Sequence, residues 1–159
     1  MANTTPREVI ESLVARIAEI QIANGYKTEL GLTIKNDQGR VLDDNILSSM
    51  HIDTVEVIDD SISWTFGNEC LNRVQSVILG CYVFPTMGAT LHDKIYDVLE
   101  DFENFTLSFL SNSMQSPDKT KRIKLKLSSP KAKPFTSPEG RDIAYIEFSI
   151  ELETILSNI

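Results

Sequence analysis

The 159-residue sequence contains only two cysteines, two histidines and one tryptophan. Cys70 and Cys81 have neither CxxC spacing nor paired histidines nearby, so the pattern indicates neither a disulfide framework nor a zinc knuckle. We expect two free thiols, buried or half-buried, in a reducing cytoplasm. We predict no metal site and no cofactor.

Long hydrophobic runs and excess positive charge are missing as well. Met1 to Thr5 is polar and no apolar region follows it, so we predict neither an export signal nor a membrane span. Fifteen basic residues against 23 acidic ones give a formal net charge of -8. A negative chain lacks the positive field that gripping duplex DNA or an anionic membrane requires. We therefore expect a soluble protein that binds neither DNA specifically nor a membrane.

The composition is that of a folded domain, with 42% hydrophobic and 24% charged residues. A chain of this length fits one core, so we predict a single domain over residues 1–159. Thr5-Pro6-Arg7-Glu8 is a capping box with proline at the first helical position, and it predicts a helix over residues 6–23 that stops at Asn24-Gly25. A second amphipathic helix is predicted from Gly88 or Thr90, with an acidic outer surface.

Alternating apolar residues predict the strands. One hairpin is expected from Leu30 to Ile34, returning at Val41, and a loop follows over residues 43–50. A second hairpin is expected around an Asp59-Asp60 turn, with Val55 and Val57 before it and Ile62, Trp64 and Phe66 after it. Later strands are predicted as follows: a central one covered on both faces at Arg73 to Phe84, a half-exposed one at Arg122 to Leu127, and a long last one at Asp142 to Ile155. Prolines and serines predict an irregular excursion at Ser128 to Gly140. The predicted fold is α+β, a mostly antiparallel sheet with two helices packed on one face and a hairpin extension.

Signatures of catalysis are absent from the sequence, and we predict no catalytic residue and no enzyme activity. His51 and Asp53 could supply two metal ligands on one strand face, which leaves a small metal-assisted hydrolase as an alternative. Asp43-Asp44 and Asp59-Asp60 are more typical of solvated turns than of an acid–base pair. His92 is expected on the surface of the second helix. A ligand-sensing domain with a pocket lined by Trp64 and Tyr82 is another alternative, although both aromatics are more typical of core packing.

Basic residues are concentrated in one stretch of the chain. Seven of the 15 lie between residues 119 and 133, while acids are frequent on the second helix. Surfaces of opposite charge could complement each other between copies in a head-to-tail contact, although a solvated strand face beside a basic loop is equally compatible. The residues predicted for a subunit or partner interface are Lys121, Arg122, Lys124, Lys126, Lys131 and Lys133 on the basic side, and Asp97, Glu100 and Asp101 on the acidic side.

The chain resembles the tail terminator proteins of long-tailed bacteriophages, the family related to the minor tail protein U of lambdoid phages. The resemblance covers nearly the whole length. It is carried by the capped first helix with Asn24-Gly25-Tyr26, the strand Val74 to Phe84, the helix around Ile95 to Leu99, and the closing alternation Ala144 to Ile150. Two segments depart from the family pattern, Ser111 to Lys119 and Ser128 to Gly140.

The resemblance implies a structural protein of the virion. Such a protein forms a ring, expected to be a hexamer, at the neck of the phage, where it ends polymerisation of the tail tube. Its partners would be its own copies, the tail tube protein and a head–tail connector or head completion protein. Phage DNA would pass through the lumen, and assembly would take place in the host bacterial cytoplasm. Another neck or tail-completion protein is the alternative within this class. We further hypothesise that Lys121, Lys124 and Lys126 face acids of a neighbouring protomer.

Overall fold

The computed structural model of the chain describes residues 4–36, 52–115, 123–136 and 142–157. Within these ranges the α-helices and strands are α1 (Pro6–Ile17), β1 (Ile34–Lys35), β2 (Thr54–Gly67), β3 (Cys70–Val83), α2 (Leu91–Gln115), β4 (Ile123–Leu127), β5 (Lys131–Thr136) and β6 (Asp142–Ser157). The strands form one mixed sheet in the order β1-β2-β3-β6-β4, and β5 pairs with β6 along the edge that β4 also uses. Only the β1–β2 pair is parallel. The predicted α+β fold with a mostly antiparallel sheet is confirmed.

Helix α1 starts as predicted. The Thr5 hydroxyl accepts a hydrogen bond from the Glu8 backbone N–H at 3.2 Å, and the Glu8 carboxylate accepts one from the Thr5 N–H at 3.2 Å. These two hydrogen bonds satisfy the backbone N–H groups of Thr5 and Glu8, which have no carbonyl partner within the helix.

The predicted end of this helix at residue 23 is wrong, because α1 ends at Ile17. The Ile20 carbonyl accepts a hydrogen bond from the Gly31 N–H at 2.8 Å, in place of the intrahelical hydrogen bond that a longer α1 would require. A Cβ at position 31 would lie 2.6 Å from the carbonyl oxygens of Ile17 and Ala18, so this close approach requires glycine. Gly25 has the expected left-handed conformation, with φ 91°, but it ends a separate 3-10 turn at Ile22–Asn24.

Helix α2 begins where the sequence predicts it. The Thr90 hydroxyl accepts from the Asp93 N–H at 3.2 Å, and the Asp93 carboxylate accepts from the Thr90 N–H at 3.1 Å. These hydrogen bonds favour the charged carboxylate and lower the pKa of Asp93. The helix continues to Gln115, so residues 111–115 of the segment that departs from the family pattern are helical.

The first predicted hairpin is wrong at Leu30–Leu32, and the second is wrong in the position of its turn. Leu30–Leu32 is a 3-10 turn, and the following strand β1 pairs in parallel with β2; position 41 lies outside the described residues, as does the loop predicted at 43–50. At Asp59-Asp60 the chain does not turn, because β2 absorbs the extra residue as a bulge between Asp59 and Ser61. The hairpin turn comes at residues 68–69, between Gly67 and Cys70, with Glu69 at φ 61°.

The later strands follow the predictions except in two places. Strand β3 lies between β2 and β6 and is central as predicted, but both of its faces are buried only from Gly80 onward; from Arg73 to Leu79 its burial alternates. The irregular excursion predicted at Ser128 to Gly140 is wrong for Lys131–Thr136, which forms β5. Pro134 is tolerated there because β5 pairs with β6 alone among the described strands, so its missing N–H interrupts no second ladder.

The main core lies between the sheet and the two helices. Alternate residues of β3 and β6 face the helices, and Leu79 is opposite Phe148 in the register. Phe148 stacks on Phe102 of α2 with ring centroids 4.3 Å apart. Each large side chain removed from water here contributes about 1.5–3 kcal/mol. Fully buried large side chains include Leu13, Ile17, Leu79, Phe102, Phe105, Phe148 and Ile150.

A smaller apolar cluster lies on the opposite face of the sheet. It consists of Tyr82, Phe84 and Ile143, with Tyr145 packed against it. Among the described residues, neither helix is long and apolar enough to cross a membrane.

Candidate assembly surfaces

The predicted basic strand lies at one edge of the sheet. Lys124 and Lys126 of β4 are exposed on the face turned away from the helices, as the alternation with buried Ile123 and Leu125 requires. Lys131 is exposed as well. Each of these lysines is directly opposite a glutamate of β6: Lys124 opposite Glu153, Lys126 opposite Glu151, and Lys131 opposite Glu147. Acids and bases thus share this sheet face, and the predicted segregation of charge is incomplete.

The remaining basic residues of the predicted interface have different positions. Lys133 belongs to β5, where its backbone is opposite Tyr145. Lys121 and Arg122 lie outside the described residues. The hypothesis about Lys121, Lys124 and Lys126 therefore stays a prediction, with Lys124 and Lys126 as its exposed members.

The three acids predicted on α2 have three different environments. Glu100 is exposed and forms an ion pair with Lys27, whose pKa is raised by the hydrogen bond and the charge of that carboxylate. Asp97 is half-buried. Asp101 is buried and accepts hydrogen bonds from the backbone N–H groups of Lys27 and Thr28, both at 2.8 Å. The placement of Asp101 on the acidic outer surface is wrong, because its buried carboxylate accepts the backbone hydrogen bonds of the loop after α1.

A projecting hairpin is the largest exposed feature of the sheet. The end of β2, the turn and the start of β3, residues 59–70, form what we call the arm. All of its residues from Asp59 to Glu69 are exposed, and Cys70 is half-buried. The arm contains the acids Asp59, Asp60 and Glu69 and no lysine or arginine.

Three large apolar side chains lie in a row on the arm. Ile62, Trp64 and Phe66 are 42%, 55% and 84% exposed. The prediction that Trp64 belongs to the core is therefore wrong. The row points to the same side of the sheet as the helices. Trp64 is directly opposite Arg73, and Arg73 lies on the same face of β3 as the residues that face the helices.

The start of α1 is fixed to β3 beside the arm. Arg73 donates to the Thr4 carbonyl at 2.6 Å, and Gln75 donates to the Pro6 carbonyl at 3.1 Å. These contacts anchor the start of α1 over β3, and burial lowers the pKa of Arg73.

A cleft of about 770 Å³ separates the start of α1 from the base of the arm. Its lining combines apolar and charged groups, including Ile10, Arg7, Asp59, Asp60 and Ile62. Asp59 and Asp60 are exposed, as expected for solvated acids, but they occupy a bulge and not a turn.

Asp53, one of the two residues of the metal alternative, is engaged in other contacts. Asp53 accepts a hydrogen bond from the Phe84 N–H at 3.1 Å through one oxygen, and its other oxygen forms an ion pair with Lys94. His51 lies outside the described residues. His92 is exposed at the start of α2, where its ring is 4.8 Å from that of Tyr96. Among the described residues, no three His, Cys, Asp or Glu side chains form a cluster that could hold a metal ion.

The pocket predicted between Trp64 and Tyr82 does not form. Tyr82 is buried on the sheet face away from the helices, near the end of β3, whereas Trp64 lies on the arm and on the other face. The Tyr82 ring is 5.0 Å from that of Tyr145, and its hydroxyl donates to Glu56 at 3.5 Å. Tyr82 therefore has the packing role that the sequence favoured.

Sequence reasoning missed the arm as a candidate functional surface. The alternation at Ile62, Trp64 and Phe66 predicts a strand, but it is the same whether the apolar face is covered or bare. The available signal was the alternation of the small polar residues Ser61, Ser63 and Thr65 before Gly67-Asn68, a pair of residues that favours a nearby turn and hence a hairpin.

Comparison with known proteins adds no relative. No model of a known protein family matches the chain, and no curated protein matches it.

Proposed function

We propose that this chain is a structural assembly protein whose copies form a ring, and that the ring caps the tail tube of a long-tailed phage. The observation that supports assembly most strongly is the arm, which exposes Ile62, Trp64 and Phe66 in one contiguous row. Contiguous apolar side chains on a surface are typical of sites that contact another protein. Folding of the single chain leaves them in water, so association gains the free energy of burying them.

The rest of the described surface is compatible with this role. Asp53 is engaged by Lys94 and by the Phe84 backbone, which leaves the hydrolase alternative without its central ligand. The acidic arm and the lysines of β4 and β5 lie at different parts of the sheet, as a head-to-tail contact requires. The specific role as a tail terminator rests on the resemblance described above.

The proposed partners follow from that role. The ring, which we expect to be a hexamer, would bind the last ring of tail tube protein on one side and a head–tail connector or head completion protein on the other. DNA would pass through its lumen without specific binding, in line with the net charge of -8. The protein would reside at the neck of the virion.

Electron microscopy with mass analysis tests the proposal. The purified chain is examined alone and together with the tail tube protein encoded in the same genome, and tube protein alone serves as the control. We expect rings, and we expect their addition to stop tube growth. Rings that bind a connector protein but leave tube growth unchanged would identify another neck protein. A chain that stays monomeric and leaves tube growth unchanged would overturn the proposal.

A further inference from the structure

Among the described residues, the outer edge of β2 has no strand partner along the arm. One edge of β2 pairs with β3 from Thr54 to Gly67, but its other edge pairs with β1 only as far as Glu56. Among the described residues, no strand pairs with the outer edge of β2 beyond that point. The backbone groups along this edge therefore have no strand partner among the described residues.

The end of this edge lacks the usual protection against pairing. Between the bulge at Asp59 and the turn, Ser61 to Phe66 contains no charge and no proline, and it alternates small polar residues with Ile62, Trp64 and Phe66. β-branched and aromatic residues favour strands, and soluble proteins normally interrupt such an edge with lysine or proline. An edge of this kind is suited to adding a strand.

The opposite side of the sheet ends in strand β4, which is also an edge among the described strands. It carries exposed Lys124 and Lys126, and Lys131 of β5 follows them along the same edge of β6. The ion pairs within 4.0 Å that join described residues involve Lys27, Lys94 and Arg16, and none involves these three lysines. The arm contains three acids and no base, and β4 contains two lysines and no acid, so the two strands have opposite charge even though each lysine is opposite a glutamate of β6.

We propose that the outer edge of the arm, from Ser61 to Phe66, pairs with strand β4 of a second copy of this chain. This inference rests on the proposed function and identifies the two surfaces that build the ring. The contact joins two different surfaces, so each copy can use both, and repetition around an axis closes a ring. The sheet then continues from one copy to the next.

The side chains fit such a continuous sheet. With the helices of both copies on the same side, Trp64 and Phe66 lie beside the apolar row of the neighbour's β4, which includes half-buried Leu127. On the other face, Ser63 and Thr65 lie beside the neighbour's Lys124 and Lys126. The small polar side chains leave room for the long lysine stems.

Disulfide cross-linking tests the pairing directly. Ser63→Cys or Thr65→Cys is combined with Lys124→Cys or Lys126→Cys in one chain, in a Cys70→Ser background and, if tube protein is needed for assembly, in its presence. Paired strands bring Cα atoms within the 4.4–6.8 Å that a disulfide spans. Because each chain carries both cysteines, we expect at least one combination to give a ladder of oligomers on a non-reducing gel. Single variants, and Ser63→Cys with Glu103→Cys on the exposed surface of α2, should give none.

A second measurement uses Trp64, the only tryptophan of the chain. Assembly should move its emission to shorter wavelength as protein concentration rises, because the side chain leaves water. Phe66→Lys should abolish the shift and the ring peak in sedimentation without changing the circular dichroism of the monomer, since Phe66 is 84% exposed. Met87→Lys is the matched control, because Met87 is fully exposed and follows the end of β3, whereas the arm includes its start.

The outcomes separate this inference from the proposed function. Rings that form normally with Phe66→Lys, and that give no ladder in any of the four combinations, would show that copies associate through other surfaces while the ring itself stands. If the unmodified chain neither forms rings nor affects tube growth, both proposals fail. A ladder together with loss of rings in Phe66→Lys supports the pairing of the arm with β4.

Discussion

The Asp101 carboxylate accepts two hydrogen bonds from Thr28, one from its backbone N–H at 2.8 Å and one from its hydroxyl at 2.6 Å. Together with the Lys27 N–H, these donors fasten the loop after α1 to the middle of α2. Both Asp101 and Thr28 are buried, so water cannot replace either partner.

Asp101→Asn should therefore destabilise the protein. Both carboxylate oxygens accept hydrogen bonds, and the NH2 group that replaces one of them would face an N–H donor and could not accept from it. A buried group left without its hydrogen bond costs about 1–3 kcal/mol. Urea unfolding followed by circular dichroism measures the change. Glu100→Gln, next to it in sequence but exposed, is the control and should unfold almost as the unmodified chain does. Equal effects of the two substitutions would contradict the role assigned to Asp101.

The ion pair between Asp53 and Lys94 gives a second prediction. Both side chains are nearly buried, at 13% and 12% exposed, and they join the start of β2 to the first turn of α2. Lys94→Met leaves a largely desolvated carboxylate without its cation and should cost about 3 kcal/mol. The double variant with Asp53→Asn should recover part of this loss. A double-mutant cycle measured by urea unfolding gives the coupling, and a coupling near zero would show that the pair does not stabilise the fold.

Two tyrosines should make stability fall at alkaline pH. Burial, and then the charge of Glu56, raise the pKa of Tyr82; burial, and then the charge of Glu147, raise that of Tyr145. Between the ordinary value of about 10 and the raised folded value, the folded protein holds protons that the unfolded chain has lost. The stabilisation is thus complete below about pH 10 and decreases as the pH rises above it.

The double variant Tyr82→Phe/Tyr145→Phe should make the alkaline fall of stability shallower. Urea unfolding at several pH values above 9 measures it, and absorbance at 295 nm follows ionisation of the tyrosines. The pKa of buried Cys81 is raised by burial too, so both chains are compared in a Cys81→Ala background. An unchanged pH profile would argue against the assigned cause.

The two thiols should differ in reactivity. Cys81 is buried in the main core and burial raises its pKa, whereas Cys70 is half-buried at the tip of the arm. A thiol reagent should therefore label one cysteine in the native protein and two after denaturation. Mass spectrometry of the digested protein identifies the site. Rapid native labelling of Cys81 would contradict its placement.

The sequence determined those elements whose signals are local. The capping box at Thr5 predicted where α1 begins, because it depends on groups three residues apart, and the amphipathic pattern from Gly88 or Thr90 predicted where α2 begins. The strict alternation of β6 identified its buried face, and the predicted half-buried and buried thiols are confirmed. Such patterns are complete within a few residues and need no knowledge of the rest of the chain.

Contacts between residues far apart in the sequence set where α1 ends and which faces of the predicted elements are buried. The carbonyl of Ile20 accepts a hydrogen bond from Gly31, and α1 is shorter than predicted. Asp101, which was expected on the surface, is buried and accepts hydrogen bonds from Lys27 and Thr28. The same alternation that buries Phe148 leaves Phe66 in water, because no described element packs over the end of the arm. A sequence pattern indicates which side chains share a face; only the packing of the other elements decides whether that face is covered.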